Sequence, residues 1–163
     1  MTDFIVEQRP ERPWVGVSMT AELAHWDRVN AHVPRIYGAL ATAGGVPLGG
    51  PIYQYRRLQT AQDPMEITVS VPVSACMEIG EGFDTGALPA GNYLVAQPAG
   101  GPDALAHVHR EMWEWAQVQG LDLAIDERSD GIHWQCRTEQ FLTDPQEEPD
   151  RSKWAIEVAY LLR

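Results

Sequence analysis

The sequence has no long apolar run and very few cysteines. No stretch approaches the ~18 apolar residues of a membrane-spanning helix, and residues 1–13 lack the apolar centre of a signal peptide. The two cysteines, Cys76 and Cys136, are far apart, and neither belongs to a C-x-x-C pair. These absences exclude a disulfide framework and a cysteine-rich metal site. We therefore expect a cytoplasmic protein with free thiols and no membrane partner.

Basic residues are also scarce. The 163 residues include 12 lysines and arginines against 23 aspartates and glutamates, so the formal net charge is −11. Nucleic-acid-binding proteins normally present a basic patch or stripe, and we expect no nucleic-acid partner here. The summed field of an acidic protein instead attracts cations, including cationic small molecules.

The familiar catalytic motifs are missing as well. The chain has no nucleophile elbow (G-x-S-x-G), no phosphate-binding P-loop, no dinucleotide-binding G-x-G-x-x-G and no zinc-binding H-E-x-x-H. His107 and His109 lie two residues apart on a predicted helix, so they point to different sides and do not form a metal pair. The sequence therefore predicts neither a cofactor nor a metal.

Two segments have the alternation of β-strands. Residues 65–73 and residues 154–162 each place five apolar side chains at every second position. Pro72 places the end of the first strand at an edge or margin of a sheet. Trp154 and Tyr160 of the second strand are assigned to the core.

Two further segments have the periodicity of helices. Apolar residues recur at helical spacing over residues 23–40 and 102–120. Pro34 falls inside the first segment, so that helix is kinked or divided there. Pro102 suits the first position of the second helix, and Gly120 is a natural stop.

These elements recur in the same order in both parts of the chain. Residues 50–56 and 131–137 align without gaps and share a glycine, an aromatic residue, a glutamine and an arginine at matching positions. Short strand candidates at 14–19 and 93–97 precede the two helices. The chain thus predicts a single α+β domain of two pseudo-symmetric strand–helix–strand–strand repeats with antiparallel sheets. They span about residues 1–79 and 88–163 and are joined by a loop at 80–91.

Glu139 is the most unusual polar residue of a predicted strand. It shares a face with Arg137 and Phe141, because side chains alternate along a strand. If that face meets solvent, Glu139 is an ordinary exposed acid. If it lines a cleft between the repeats, Glu139 is a carboxylate among aromatic rings, which an incoming cation would stabilise.

The order of the motifs resembles a known family. The most specific segments are Pro-x-Gly-x-Tyr at residues 89–93 and Glu-x-aromatic followed by Asp-Pro at residues 139–145. Together with the strands and helices around them, they resemble the GyrI-like small-molecule-binding domains over nearly the whole chain. That family is related to the effector-binding domains of multidrug-responsive AraC-type and MerR-type regulators and to SOUL proteins.

The resemblance implies a pocket where the two repeats meet. Family members bind lipophilic, often cationic and aromatic compounds, and the glutamate that matches Glu139 faces the cation. Two residues depart from the pattern. Phe141 stands where a tyrosine is usual, which removes a phenol, and Arg137 lies near enough to Glu139 to compete with a ligand cation.

The first functional hypothesis is therefore a stand-alone binding protein for lipophilic, cationic aromatic molecules. The candidate ligand-binding residues are Glu139 and the aromatic residues Tyr55, Tyr93, Trp115, Trp134 and Phe141. One alternative is a hydrolase of strained cyclopropanoid electrophiles with Glu139 as general base. Another is a gyrase-inhibitor-like module that binds a protein partner. Haem binding, through His25 or His32, ranks last, and no helix-turn-helix is expected beside the repeats.

Overall fold

The computed structural model of the protein describes residues 2–163. Over this range the chain forms ten strands and three α-helices, and short 3₁₀ turns precede the first and third helices. No helix in it is long and apolar enough to cross a membrane. The elements are β1 (Phe4–Arg9), β2 (Arg12–Ala21), α1 (Trp26–Asn30), α2 (His32–Thr42), β3 (Ile52–Leu58), β4 (Met65–Pro72), β5 (Asp84–Leu88), β6 (Gly91–Ala96), α3 (Leu105–Val118), β7 (Ile125–Arg128), β8 (Gly131–Trp134), β9 (Arg137–Phe141) and β10 (Ile156–Leu161).

The strands form one antiparallel sheet with an internal duplication. Its order is β1-β6-β10-β9-β3-β4-β2-β5, and the β7–β8 hairpin extends from the end of β3. The order β6-β10-β9 of the second half mirrors the order β3-β4-β2 of the first. Each half also has a helical region after the strand that opens its repeat, since α2 lies between β2 and β3 and α3 lies between β6 and β7. The predicted α+β class and the two repeats are thus confirmed.

The two halves join where β3 pairs with β9. Three residue pairs link β3 to β9, and Tyr53 lies directly opposite Glu139 in the middle pair. Two further pairs link the end of β3 to β8. Gln140 reinforces it, because its Nε2 donates a hydrogen bond to the carbonyl oxygen of Gly50 over 3.2 Å. Glu139 therefore lies at the midline of the sheet, between the repeats.

Both helical regions pack on one face of the sheet. Directly paired residues of neighbouring strands point to the same side, and the row across the midline runs through Val69, Tyr53, Glu139 and Val158. On that face, α2 buries Ile36 and Leu40 against β2 and β4, and α3 buries Val108 and Met112 against β6 and β10. Each such aliphatic side chain contributes about 1.5–3 kcal/mol to folding. Between the helices, the sheet midline is left uncovered by either one.

Several elements differ from the sequence-based expectation. The predicted loop at 80–91 contains β5, which pairs with β2 from Arg12–Leu88 to Gly16–Asp84. β1 pairs along β6 although no strand was expected in that segment. The predicted strand over 131–137 is divided into β8, which ends at Trp134, and β9, which begins at Arg137. Between them, the N–H of Gln135 still donates to the carbonyl oxygen of Ala124 at the end of the β7–β8 hairpin. Both parts of the divided segment pair with β3, β9 through Ile52–Gln54 and β8 through Arg57 and Leu58.

The first helical segment is divided, as Pro34 required. It forms α1 and α2, with Ala31 between them, and Pro34 falls in the first turn of α2, where a missing N–H costs no helical hydrogen bond. Pro72 is the last residue of β4. That strand lies in the middle of the sheet and is buried on both faces except at Glu66, so Pro72 marks the margin of the sheet rather than its edge.

The junction leaves no room for a side chain at Gly50. A Cβ built there would clash with the carbonyl oxygen of Phe141, which is backbone and cannot rotate away. We expect Gly50→Ala to lower the free energy of unfolding by about 1–3 kcal/mol, as overpacking does. Gly38→Ala is the matched control, because that helical position is exposed and a Cβ meets nothing within 4 Å. It should stabilise by about 0.5–1 kcal/mol. Urea unfolding monitored by tryptophan fluorescence measures both, and equal stability of the two variants would contradict this description of the junction.

Candidate functional site

A cavity of about 1210 Å³ lies between the helices, above the junction of the halves. Residues of α1 and α2 form one side, the first turns of α3 form another, and β3 and β9 form the floor. Its volume exceeds that of typical ligand pockets, about 300–1,000 Å³. Six aromatic residues contribute to the lining: Trp26, Tyr37, Tyr53, Tyr55, Phe141 and Trp154.

The aromatic rings form contiguous packed walls. Trp26 of α1 stacks on Tyr55 with ring centroids 6.2 Å apart and planes 7° apart. Across the junction, Tyr53 meets Phe141 edge to face at 5.3 Å, and Phe141 in turn meets Trp154 at 6.4 Å. Such flat faces suit aromatic ligands and attract cations through the negative charge of the ring face.

Glu139 lies on the cavity floor with only 5% of its surface exposed. The question whether its face meets solvent or a cleft is therefore resolved in favour of the cleft. Both carboxylate oxygens have partners: the hydroxyl of Tyr55 donates to Oε1 over 2.5 Å, and Nε2 of His109 lies 2.6 Å from Oε2. Tyr55 belongs to the first half and His109 to the second, so the carboxylate joins the two.

His109 extends this chain of hydrogen bonds into the core. Its Nδ1 lies 2.5 Å from the hydroxyl of Tyr160, a fully buried residue of β10. An ionised Glu139 can only accept, so the neutral imidazole carries its proton on Nε2 and accepts at Nδ1 from Tyr160. The order of donation is thus Tyr160 to His109 to Glu139, with Tyr55 donating to Glu139 from the other side.

Burial and neighbouring groups shift the pKa values of this cluster. Burial and the charge of Arg137 lower the pKa of His109, against the opposing effect of Glu139, so the imidazole is neutral at pH 7. Burial alone would raise the pKa of Glu139, but the hydrogen bonds of His109 and Tyr55 and the charge of Arg137 together lower it. Burial, with Glu139 nearby, also raises the pKa of Tyr55 well above its ordinary value. The cavity floor therefore holds a carboxylate that accepts from two neutral donors, with the charged guanidinium of Arg137 nearby.

The structure brings three of the six predicted ligand-binding residues to the cavity. Tyr55, Glu139 and Phe141 line it. Tyr93 lies in the cluster on the opposite face of the sheet, with its hydroxyl donating to Pro89. Their roles toward a ligand stay predictions.

Both predicted tryptophans lie outside the cavity lining. Trp134 is buried behind the cavity floor, with its ring 4.9 Å from that of Tyr160. Trp115 lies on the far side of α3, with its ring 5.5 Å from that of Phe4. Neither ring therefore contacts the cavity in this structure.

Sequence reasoning did not include several residues of the site among its candidates, namely Trp26, Tyr37, Tyr53, His109 and Trp154. His109 was considered only as a metal ligand, although it lies four residues after Leu105 and three before Met112, on the inward stripe of α3. A polar side chain on an apolar stripe was the available signal. Trp154 was assigned to the core, but it lies before β10, half-buried in the cavity wall, with its Nε1 donating to Glu148.

The lowered pKa of His109 makes stability depend on pH. An unfolded histidine binds its proton near its ordinary value of 6.5, whereas the folded protein resists protonation. The unfolded state therefore gains protons first, and stability is full above pH 6.5 and falls as the pH drops below it. We expect the urea midpoint of the wild type to fall between about pH 7.5 and about pH 5, and that of His109→Gln to fall less.

The matched control for this experiment is His107→Gln. His107 lies two residues away on the same helix, with 68% of its side chain exposed. Its variant should keep the wild-type dependence on pH. The same dependence in His109→Gln would show that this buried imidazole is not the group responsible.

Comparison with known proteins identifies a matching family and several similar structures. The chain matches the GyrI-like small molecule binding domain over residues 2–158, and no curated protein matches it. Similar solved structures include the C-terminal domain of EcmrR, with 11% identity, 100% of this chain and 98% of that chain covered, and a TM-score of 0.78. SAV2435 bound to tetraphenylphosphonium has 14% identity, coverage of 99% and 94%, and a TM-score of 0.64.

A hydrolase from Listeria innocua is also similar, with 11% identity, coverage of 98% and 91%, and a TM-score of 0.62. At such identities the likeness to these structures establishes the shared fold. The family match, in contrast, extends over nearly the whole sequence. The protein therefore belongs to the family of GyrI-like small-molecule-binding domains.

Proposed function

We propose that the protein binds lipophilic, cationic aromatic molecules in the cavity between its two halves. The observation that carries this proposal is the buried, ionised Glu139 on a floor flanked by aromatic rings. Small-molecule binding itself is the property of the family. The kind of ligand and the residues that contact it are proposed here from the geometry and charge of the cavity.

The carboxylate can attract a cation although both of its oxygens are hydrogen-bonded. Tyr55 and His109 are neutral donors, so they orient the carboxylate without removing its negative charge. A carboxylate has about four lone-pair sites, of which they use two. A delocalised aromatic cation needs no directional hydrogen bond, only proximity to the charge and contact with the ring faces.

The ring arrangement supports an aromatic ligand. Trp26 and Tyr55 already stack in parallel, and Phe141 and Trp154 face the cavity from the second half. A flat ligand between the two walls would bury apolar surface on both sides, which contributes about 25 cal/mol per Å². The net charge of −11 adds a longer-range attraction for cations.

Glu139→Gln tests the charge of the site. We expect tetraphenylphosphonium, the compound in the SAV2435 structure, to bind and quench tryptophan fluorescence, since Trp26 and Trp154 line the cavity. The variant should weaken its binding about tenfold or more, a loss of about 1.4 kcal/mol or more. The affinity for triphenylphosphine oxide, a neutral aryl compound, should fall much less, because only the cation interacts with the charge that is removed.

Glu127→Gln is the matched control, because Glu127 is exposed on β7 and lies outside the cavity lining. It removes the same net charge from the protein and should leave the binding of both compounds unchanged. An equal loss of affinity for both compounds in Glu139→Gln would contradict electrostatic recognition by this carboxylate.

Hydrolysis of a strained electrophilic ring is the second candidate. The chain of hydrogen bonds from Tyr160 through His109 to Glu139 favours it, since it orients a carboxylate that could accept a proton. Water would attack a ring carbon while Glu139 takes its proton. The breaking carbon–carbon bond would leave its electron pair on the substrate's electron-withdrawing group, which then takes up a proton. The lowered pKa makes Glu139 a weak base, which is why binding ranks first.

Incubation with a cyclopropane-bearing electrophile separates binding from turnover. If the protein is a hydrolase, mass spectrometry will show a product heavier by one water, formed over time by the wild type and not by Glu139→Gln. Binding alone predicts unchanged substrate after long incubation. Product formation at the same rate in the variant would remove Glu139 from any hydrolytic mechanism.

A further inference from the structure

Arg137 lies on the cavity floor two residues before Glu139 and has no acidic partner. Both side chains leave β9 on the same face, and both line the cavity. None of the ion pairs formed in the described part of the chain involves Arg137. Its Nε is buried and has no hydrogen-bond partner there. The carboxylate of Glu139 accepts hydrogen bonds from Tyr55 and His109 and forms none with Arg137 in the described part of the chain.

Aromatic rings hold the guanidinium in place. Its central carbon lies 4.9 Å from the ring centroid of Trp134, 5.3 Å from that of Tyr160 and 5.7 Å from that of Tyr55. Ring faces attract the charge but offer little to its five N–H donors, which need oxygen or nitrogen acceptors. The positive charge is therefore positioned by the fold but not matched by an acceptor within it.

A guanidinium that lacks a hydrogen-bond acceptor within the fold favours an anionic group on the ligand. The planar guanidinium matches a carboxylate with two parallel N–H···O bonds, and such pairs are stronger than bonds between neutral groups. Arg151 also lines the cavity, but its guanidinium lies over the ring of Trp154 at 5.5 Å, near the rim. Asp103 and Asp144 contribute negative charge to the same lining, so a simple anion would be repelled as well as attracted.

We propose that Arg137 forms a subsite that binds a carboxylate of the ligand. The ligand class is therefore an aromatic zwitterion. Its cationic part lies at Glu139, its carboxylate lies at Arg137, and its rings lie between the aromatic walls. The spacing of the two residues on one strand places the opposite charges side by side, about 6–7 Å apart along the backbone. This inference rests on the proposed function, since it takes the cation at Glu139 as given and adds the second charged group.

A rhodamine dye tests the subsite, because it exists as an ethyl ester and as the free acid. The two forms share the same cationic ring system, and only the acid has a carboxylate. We expect the wild type to bind the acid about tenfold more tightly than the ester. Arg137→Gln should abolish that preference, because it weakens binding of the acid, whereas the cationic ester, freed from a competing positive charge, should bind at least as tightly as before. Arg56→Gln, at an exposed residue of β3 outside the cavity lining, is the matched control and should keep the preference.

Two outcomes would overturn the subsite. One is equal affinity of the wild type for acid and ester, which needs no variant and so does not depend on whether Arg137→Gln folds. The other is an equal loss of affinity for both dyes in Arg137→Lys. That variant keeps the positive charge but not the planar guanidinium, so we expect it to bind the ester normally and the acid with intermediate affinity.

Failure of the proposed function has a different signature. If the ester itself does not bind, or binds equally well to Glu139→Gln, the cation site is wrong. A preference for the acid that depends on Arg137 could still be measured in that case. The two claims therefore succeed or fail on separate comparisons.

Discussion

A buried carboxylate at the junction of two repeats is the constraint on which the site depends. An unpaired carboxylate in this position would cost several kcal/mol, and hydrogen bonds to a charged group return about 1.5–3 kcal/mol each. Tyr55 supplies one from the first repeat and His109 supplies the other from the helix of the second. These two side chains thus satisfy the carboxylate of Glu139 and tie the halves together. They can do so only because β3 and β9 pair at the midline, with Tyr53 opposite Glu139.

The cavity follows from the duplication. Each repeat places one helical region on the same face of the sheet, and the two regions flank the midline without covering it. The uncovered floor carries a carboxylate and a guanidinium, and the side walls carry aromatic rings. In the proposed function, we expect the rings to give affinity for aromatic molecules without demanding one shape, and the two charges to define where the polar groups of a ligand are placed. We therefore expect a binding site that accepts ligands of varied ring shape but fixes the positions of their positive and negative groups.

The sequence predicted the parts of this arrangement that depend on local periodicity. Alternation along residues 137–141 placed Arg137, Glu139 and Phe141 on one face, and the helical spacing around Pro34 and Pro102 located the helices. Local periodicity could not predict contacts between distant segments. His109 and Glu139 are 30 residues apart in the sequence, and the apolar stripe of a helix does not reveal which strand it packs against. Trp154 was misplaced because the apolar alternation already begins two residues before β10 starts at Ile156. The short edge strand β5 escaped notice because glycines and a proline flank it.

A crystal structure with a bound aromatic cation tests the central claim most directly. The account predicts that the cation lies between the helices, with its charge near the carboxylate of Glu139 and its rings against Trp26, Tyr55 or Phe141. The bonds from Tyr55 and His109 to the carboxylate should persist, because the cation interacts with the charge rather than displacing the donors. A ligand bound elsewhere on the protein, with the cavity between the halves unchanged, would contradict the account.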